Sequence, residues 1–243
     1  MNKQQPITER YKVTDVPAPL RSGDWELRRF TVSEEDSKMD RIKSLFGGSG
    51  RYCRPGTYTG LYRHGPNGAK VIMSDTADEI YDHIQVIVDA AGKVLIAGLG
   101  IGMVLNAIAM KPEVEHITVV ELSKDVLSLL QLHYDRKYPG KITFVNADIF
   151  AWVPPKDERW DFAWFDIWDD LNTDNLVQMA TLHRKFARKA VTKDSWGRKL
   201  LLSQRRRERE QEKVYSFIRD RHQGVEELSK KLDAIHEHEG IRL

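Results

Sequence analysis

Hydrophobic and polar positions change their period three times along the chain. Trp25–Val32 (W-E-L-R-R-F-T-V), Tyr58–Tyr62 and Lys70–Met73 are short strand-like pieces. The Pro66-Asn67-Gly68 turn between the last two predicts a β-hairpin. Leu45–Gly56 packs four glycines and a proline into twelve residues and predicts turns. From Ser74 to Ala90 the period lengthens: Ile80, Ile84, Ile87 and Val88 fall near helical spacing behind a cap at Asp75 or Thr76. Beyond Gly92 a third pattern begins. The unalternated apolar runs Val94–Ala97, Ile117–Leu122, Ile142–Asn146 and Phe162–Ile167 are separated by turns or by helical stretches at 103–110 and from Lys124 to about Tyr134. Strands without alternation are buried on both faces, which predicts a parallel sheet covered by helices.

After Asp170 the pattern is less regular. Thr173–Val191 predicts a helix, Lys199–Leu202 fits either a fifth strand or part of a helix, and Arg205–His236 is charged and helix-prone. No antiparallel pair closes the sheet. Residues 1–24, with Pro6, Pro17 and Pro19, read as an irregular lead-in, and Ser33–Ser44 as a short helix or loop. The expected fold is α/β: a Rossmann-like, mostly parallel sheet with helices on both faces. It spans 76–202, after a small β-rich region at 1–75 and before a helical, basic extension at 203–243.

Composition narrows the class. No apolar run reaches the roughly 18–20 residues of a membrane span, and the first residues lack the apolar core of a signal peptide. Cys53 is the only cysteine, so neither an intrachain disulfide nor a cysteine-built zinc site is available. The expectation is a cytoplasmic protein. The net charge of +2 conceals an asymmetry, since residues 171–243 hold 17 Lys or Arg against 11 Asp or Glu. A basic tail invites an acidic partner, but the interleaved glutamates of R-R-R-E-R-E-Q-E-K favour a solvated, salt-bridged helix over nucleic-acid binding.

Candidate chemistry gathers around V-L-I-A-G-L-G-I-G-M, Val94–Met103. A strand, a turn with Gly98, Gly100 and Gly102, and a helix N-terminus together form a nucleotide cradle. The third glycine comes one residue earlier than in G-x-G-x-x-G, which argues against a dinucleotide. Glu121 ends the next strand, where an acid can accept both ribose hydroxyls; the alternative is a surface glutamate. Asp148 follows the third strand, able to meet an adenine amino group with Ile149 packed on the base, or simply to cap a turn. Asp166, Asp169 and Asp170 cluster in F-D-I-W-D-D after the fourth strand, at the edge where open α/β sheets hold ligands. They can orient an amine, act as a base, carry a metal or cap the next helix. Trp164 and Trp168 offer aromatic faces. Tyr81 and His83, two apart on a helix, fall on different faces, and His83 reads as structural or solvated. The scattered histidines suggest no metal site.

Taken together, these residues resemble the class I S-adenosylmethionine-dependent methyltransferases, and within them the spermidine synthase (polyamine aminopropyltransferase) branch, over about residues 55–170. V-L-I-A-G-L-G-I-G resembles that branch's V-L-x-I-G-G-G-D-G turn, V-V-E-L its ribose-binding strand, N-A-D its G-D-A region and F-D-I-W-D-D its D-S-S-D-P segment. S-D-T-A-D-E-I-Y-D-H more loosely resembles its T-E-x-D-E-x-x-Y-H-E helix. The resemblance implies cofactor contacts at Gly98, Gly100, Gly102, Glu121, Asp148 and Ile149. It implies catalytic roles for Asp166 and Asp169, and substrate contacts at Tyr81, Trp168 and Asp170. The cofactor implied is S-adenosyl-L-methionine or its decarboxylated form, and the partner a small-molecule acceptor. A homodimer is compatible with it, and no membrane is implied. Four positions depart from the branch: Ile101 replaces the turn aspartate expected to hold an aminopropyl ammonium group, Ala77 a helix aspartate, Met73 a glutamine and Asp170 a proline. Losing the amine anchor favours methyl transfer over polyamine synthesis, with a catalytically inactive scaffold as the third reading.

Overall fold

A computed structural model describes residues 6–45 and 53–239. After a single turn of helix, α1 (Ile7–Arg10), the strands β1 (Leu20–Ser22) and β2 (Trp25–Val32) pair antiparallel, and α2 (Glu34–Leu45) follows. The hairpin of β3 (Gly56–Gly65) and β4 (Gly68–Ser74) completes a four-stranded antiparallel sheet in the order β1-β2-β3-β4. Two short helices, α3 (Ala77–Asp82) and α4 (Ile84–Asp89), then lead into the second unit: β5 (Gly92–Ala97), α5 (Met103–Ala109), β6 (Val114–Glu121), α6 (Lys124–Lys137), β7 (Ile142–Asn146), β8 (Trp160–Phe165), α7 (Asn175–Lys185), β9 (Ala190–Ser195) and α8 (Arg198–Glu239). Residues 46–52, most of the glycine-rich turn segment, lie outside the described residues.

The second sheet has five strands, all parallel, ordered β7-β6-β5-β8-β9. The chain runs outward from β5 through β6 to β7, then crosses back to β8 on the other side. The switch point therefore falls between β5 and β8, where two successive crossovers leave in opposite directions and open a crevice at the carboxyl ends. Strand alternation sends Val94, Ile96, Phe162 and Trp164 to one face, where α5, α6 and the small sheet's Leu27 and Leu61 cover them. Leu95, Ala97, Ala163 and Phe165 go to the other, packed on Leu182 and Phe186 at the end of α7. Both faces are buried, as the unalternated runs require.

Three features differ from the pattern-based expectation. The fifth strand is Ala190–Ser195, while Lys199–Leu202 belongs to α8. A-V-T-K-D-S borders the sheet, so only one side has a strand neighbour, and Val191 is exposed. Such a strand is free to be polar and carries no apolar run to detect. The predicted single helix at Ser74–Ala90 breaks at His83, whose backbone (φ −104°, ψ 1°) closes α3 and opens α4. The break shifts the buried phase to Ile80, His83, Val86, Ile87 and Ala90, leaving Val88 in solvent. Asp75 does not cap the helix. Completely buried, it accepts the backbone N–H groups of Val13 (3.0 Å) and Thr59 (2.7 Å), sewing the N-terminal segment to β3.

α8 is anchored by Leu201, which is buried against Leu176 and Met179. Beyond it Val214, Tyr215, Phe217 and Ile218 are exposed. Among the described residues no helix is long and apolar enough to cross a membrane.

Candidate active site

The crevice at the switch point is a cleft of about 510 Å³. Its floor is the turn after β5. Gly98 (φ +93°) has no room for a side chain, since a Cβ there would lie 1.9 Å from the Asp166 carbonyl oxygen. The absence of that carbon lets the ends of β5 and β8 close on each other, with the Asp166 N–H donating to Ala97 (2.9 Å). Gly100 is packed against the Met73 sulfur from β4, so both it and Met73 line the cleft. Gly102 and Ile101 turn the other way. Gly102 lies under the ring of Tyr134, whose hydroxyl donates to the Ile101 carbonyl (2.9 Å), and the Ile101 side chain is wholly in the core.

Glu121, at the end of β6, is nearly buried and faces the turn. Its Oε2 accepts the Leu99 N–H (2.8 Å) and its Oε1 the Ser123 N–H (2.7 Å). Burial pushes its pKa up, against the pull of the Ser123, Leu99 and Leu122 amides. With about four lone-pair sites against these amides, the carboxylate keeps one for a ligand hydroxyl. Asp148 serves partly as the turn residue it resembles, with Oδ1 accepting the Phe150 N–H (2.8 Å). It nonetheless lines the cleft beside Ala147, Ile149 and Phe150.

The three aspartates after β8 have different environments. Asp166 Oδ2 accepts Nε2–H of His83 (2.8 Å). His83 is 1% exposed, and its Nδ1 donates to the Glu79 carbonyl (2.7 Å). With an acceptor facing each ring nitrogen, the ring carries both protons and is an imidazolium. Burial alone would lower its pKa, but the charge and hydrogen bond of Asp166, with Glu79 behind, push it up to about 9. The indole of Trp196 lies parallel to the imidazole (6.2 Å, 6°) and that of Trp164 meets it edgewise (6.0 Å, 72°). Asp169 pairs with Arg63 of β3 (2.5 Å) and Asp170 with Lys70 of β4 (3.0 Å), so the loop after β8 is tied to the hairpin of the small sheet.

Of the residues singled out in the sequence, Gly98, Gly100, Glu121, Asp148, Ile149, Asp166, Trp168 and Asp169 meet in this cleft. Tyr81, Gly102 and Asp170 do not line it. Tyr81 is 52% exposed on the outer side of α3, because the break at His83 turns the histidine inward instead. The sequence gives His83 only a structural or solvated role and no site role to Arg63, Lys70, Trp25 or Trp196. For His83 a signal existed: positions 80, 83, 84 and 87 form one helical stripe, and a histidine on an apolar stripe is buried and needs partners. Trp164 also lines the cleft, and its Nε1–H is buried with no hydrogen-bond partner.

The fold is thus a Rossmann-like α/β domain with a glycine turn and an acidic strand end at its switch point. No family model matches the chain. It is 33% identical over 92 residues to polyamine aminopropyltransferases 1 and 2 of Ralstonia nicotianae, a stretch covering 35% of this chain and 18% of each relative. The chain therefore corresponds to under a fifth of those proteins. Among solved structures it is similar to the N-methyltransferase NodS of Bradyrhizobium japonicum in complex with S-adenosyl-L-homocysteine, at 16% identity, TM-score 0.38, 47% of this chain and 57% of that one. It is also similar to the CcbJ methyltransferase of Streptomyces caelestis, at 22% identity, TM-score 0.34, 45% of this chain and 44% of that one.

Proposed function

We propose that the chain binds S-adenosylmethionine and transfers its methyl group to a small-molecule acceptor. The observation that carries this is Glu121: a nearly buried carboxylate at the end of β6, fixed by the amides of Leu99 in the glycine turn and Ser123, with a lone pair left over at the cleft. Glu121 would hold the ribose hydroxyls, Gly98 and Gly100 would let the backbone approach, and Asp148 with Ile149 would take the adenine. The fit is one of chemistry as well as size, since about 510 Å³ lies within the range of small-ligand clefts. When bound, S-adenosylmethionine supplies an activated methyl group on a sulfonium centre. The protein's part is alignment and exclusion of water. Asp166 Oδ2 is engaged by His83, which leaves Oδ1 to receive an acceptor N–H or O–H and fix its direction. A proton lodged on Asp166 would strip the buried imidazolium of its counter-ion, so Asp166 acts here as an orienting group.

The names of the curated relatives favour a second reading, aminopropyl transfer from decarboxylated S-adenosylmethionine. Against it stands Ile101: the turn position expected to carry an amine-holding aspartate is an isoleucine buried in the core. Calorimetric titration with S-adenosylmethionine, its decarboxylated form, methylthioadenosine and NAD separates the readings. We expect S-adenosylmethionine to bind and Glu121→Gln to weaken it at least about tenfold through lost ribose hydrogen bonds. Tight binding of the decarboxylated form alone would transfer the assignment to aminopropyl chemistry, and no binding by any of them would leave a scaffold. A cytoplasmic location belongs to the same reading and rests on the single cysteine.

A further inference from the structure

A cleft that receives a polyamine needs carboxylates whose charge is free to meet ammonium groups. Here each of the three aspartates after β8 already faces a cation of the same chain: Asp166 faces His83, Asp169 faces Arg63 and Asp170 faces Lys70. Two of these pairs lie at the surface, where water and a competing ammonium ion can exchange with the lysine or arginine. The third is different in kind. His83 is enclosed by Asp166 at 2.8 Å on Nε2, the Glu79 carbonyl at 2.7 Å on Nδ1, the indole face of Trp196 and the edge of Trp164. A cation held on every side cannot step aside for a substrate. An ammonium group reaching Asp166 would meet, one hydrogen bond behind the carboxylate, a like charge inside the protein. Among the described residues, the formal charges that act on the ring are Asp166 at the end of β8 and Glu79 on α3, and the rings against it are the two indoles.

We propose that His83 is a specificity-determining residue: an internal cation that takes the place of a substrate ammonium opposite Asp166. The acceptor site thereby rejects cationic amines and receives an uncharged, planar acceptor. This rests on the reading above only in placing the acceptor against Asp166. The walls agree with it. Trp25, Trp164, Trp168 and Trp196 supply flat apolar surface. An N–H or O–H of the acceptor would complete Asp166 without bringing a charge.

Three measurements on the full chain test it. Long-range ¹H–¹⁵N correlation at pH about 7 reads the protonation of the imidazole directly; both nitrogens protonated are expected for His83, and a neutral tautomer overturns the proposal. Calorimetry of the wild type with catechol, as an uncharged planar probe, and with putrescine should show binding of catechol and none of putrescine. Putrescine binding at equal or greater affinity, or binding of neither, overturns it. His83→Gln keeps a hydrogen-bond donor but removes the charge, and should raise putrescine affinity by about tenfold or more, as relief of a like-charge approach requires. His83→Gln with wild-type putrescine affinity overturns the proposal. If that variant fails to fold, the two wild-type measurements still decide. Parallel titration with S-adenosylhomocysteine keeps the two ideas apart: its failure to bind counts against the nucleoside reading and leaves the state of His83 and the amine preference as measured.

Discussion

Replacing Gly98 with alanine should damage the protein far more than the loss of two hydrogens suggests. Gly98 sits at φ +93°, and a Cβ would stand 1.9 Å from the Asp166 carbonyl oxygen and 2.9 Å from its carbon. Both are backbone atoms, so no side-chain rotation relieves the overlap. The strand ends must part instead, and the bonds at risk are Asp166 N–H to Ala97 and Gly98 N–H to Val120, each 2.9 Å. Unfavourable φ costs about 1 kcal/mol, and breaking each of the two bonds about 1–3 kcal/mol, for a total of roughly 3–7 kcal/mol. Gly140→Ala is the control. It has a similarly positive φ of +73° but nothing within 4 Å of its Cβ, so only the backbone term applies. Urea and thermal unfolding of both variants measure the difference. Gly98→Ala should lie about 2 kcal/mol or more below Gly140→Ala, which for a chain of this size is at least about 4–8 °C in Tm. Equal stability of the two variants would show that the approach of β8 to the glycine turn is not tight, and the argument for Asp166's placement would fail with it.

Asp75→Ala should cost about 2–4 kcal/mol, because the Val13 and Thr59 amides lose their shared acceptor inside the fold; Asp75→Asn, with one acceptor oxygen, should recover part of that in the same unfolding assay. His83 makes stability sensitive to alkali. Its folded pKa is raised from 6.5 to about 9, so its contribution is complete below about 6.5 and disappears as pH climbs through about 9, a loss on the order of 3 kcal/mol. Urea midpoints across that window should fall in the wild type and stay flatter in His83→Gln. His133 and His183 do not confound it, because burial lowers their pKa values and their contributions change only on the acid side of 6.5. Removal of the chain beyond Arg205 should shift Tm by no more than about 2 °C, since surface changes are worth within about 0.5 kcal/mol and Leu201 is the buried anchor of α8. A larger fall would mean that the outer part of α8 packs on the body.

What could be read in the sequence was what local pattern determines. Ile142–Asn146 and Trp25–Val32 are strands at the expected bounds, and the glycine turn follows its strand as expected. The hairpin around Pro66-Asn67-Gly68 is also present. These elements declare themselves through neighbours in the chain. β9 does not, because a strand at the sheet edge is under little pressure to be apolar. The break at His83 was hidden because a single histidine changes neither the propensity nor the period of the stretch enough to announce it. Its partner Asp166 lies 83 positions away, and Arg63 and Lys70 lie 106 and 100 positions from Asp169 and Asp170. The folding of the small sheet over the mouth of the larger one brings the last two pairs together, and the break between α3 and α4 supplies the first. Ile101 is the instructive intermediate. Its identity alone separated it from the related turn, but only its burial shows that the position faces the core.

Asp166 joins these two kinds of information. Its amide is held by Ala97, its carbonyl is set against Gly98 and its carboxylate is held by His83, so three separate contacts fix one residue. The first two come from the glycine turn and the sheet; the third comes from a helix break upstream of both. A residue fixed at its amide, carbonyl and side chain loses little freedom when a ligand arrives, and the cost of aligning an acceptor falls accordingly. The same arrangement couples site to fold. Separating the strand ends at Gly98 would also draw Asp166 away from the imidazolium, leaving a buried charge without its partner. Loss of His83 would leave the strand pairing in place while removing the imidazolium's share of stability and the charge behind Asp166. Strand pairing and acceptor preference therefore depend on opposite ends of one residue, and the paired substitutions at positions 98 and 83 can separate them.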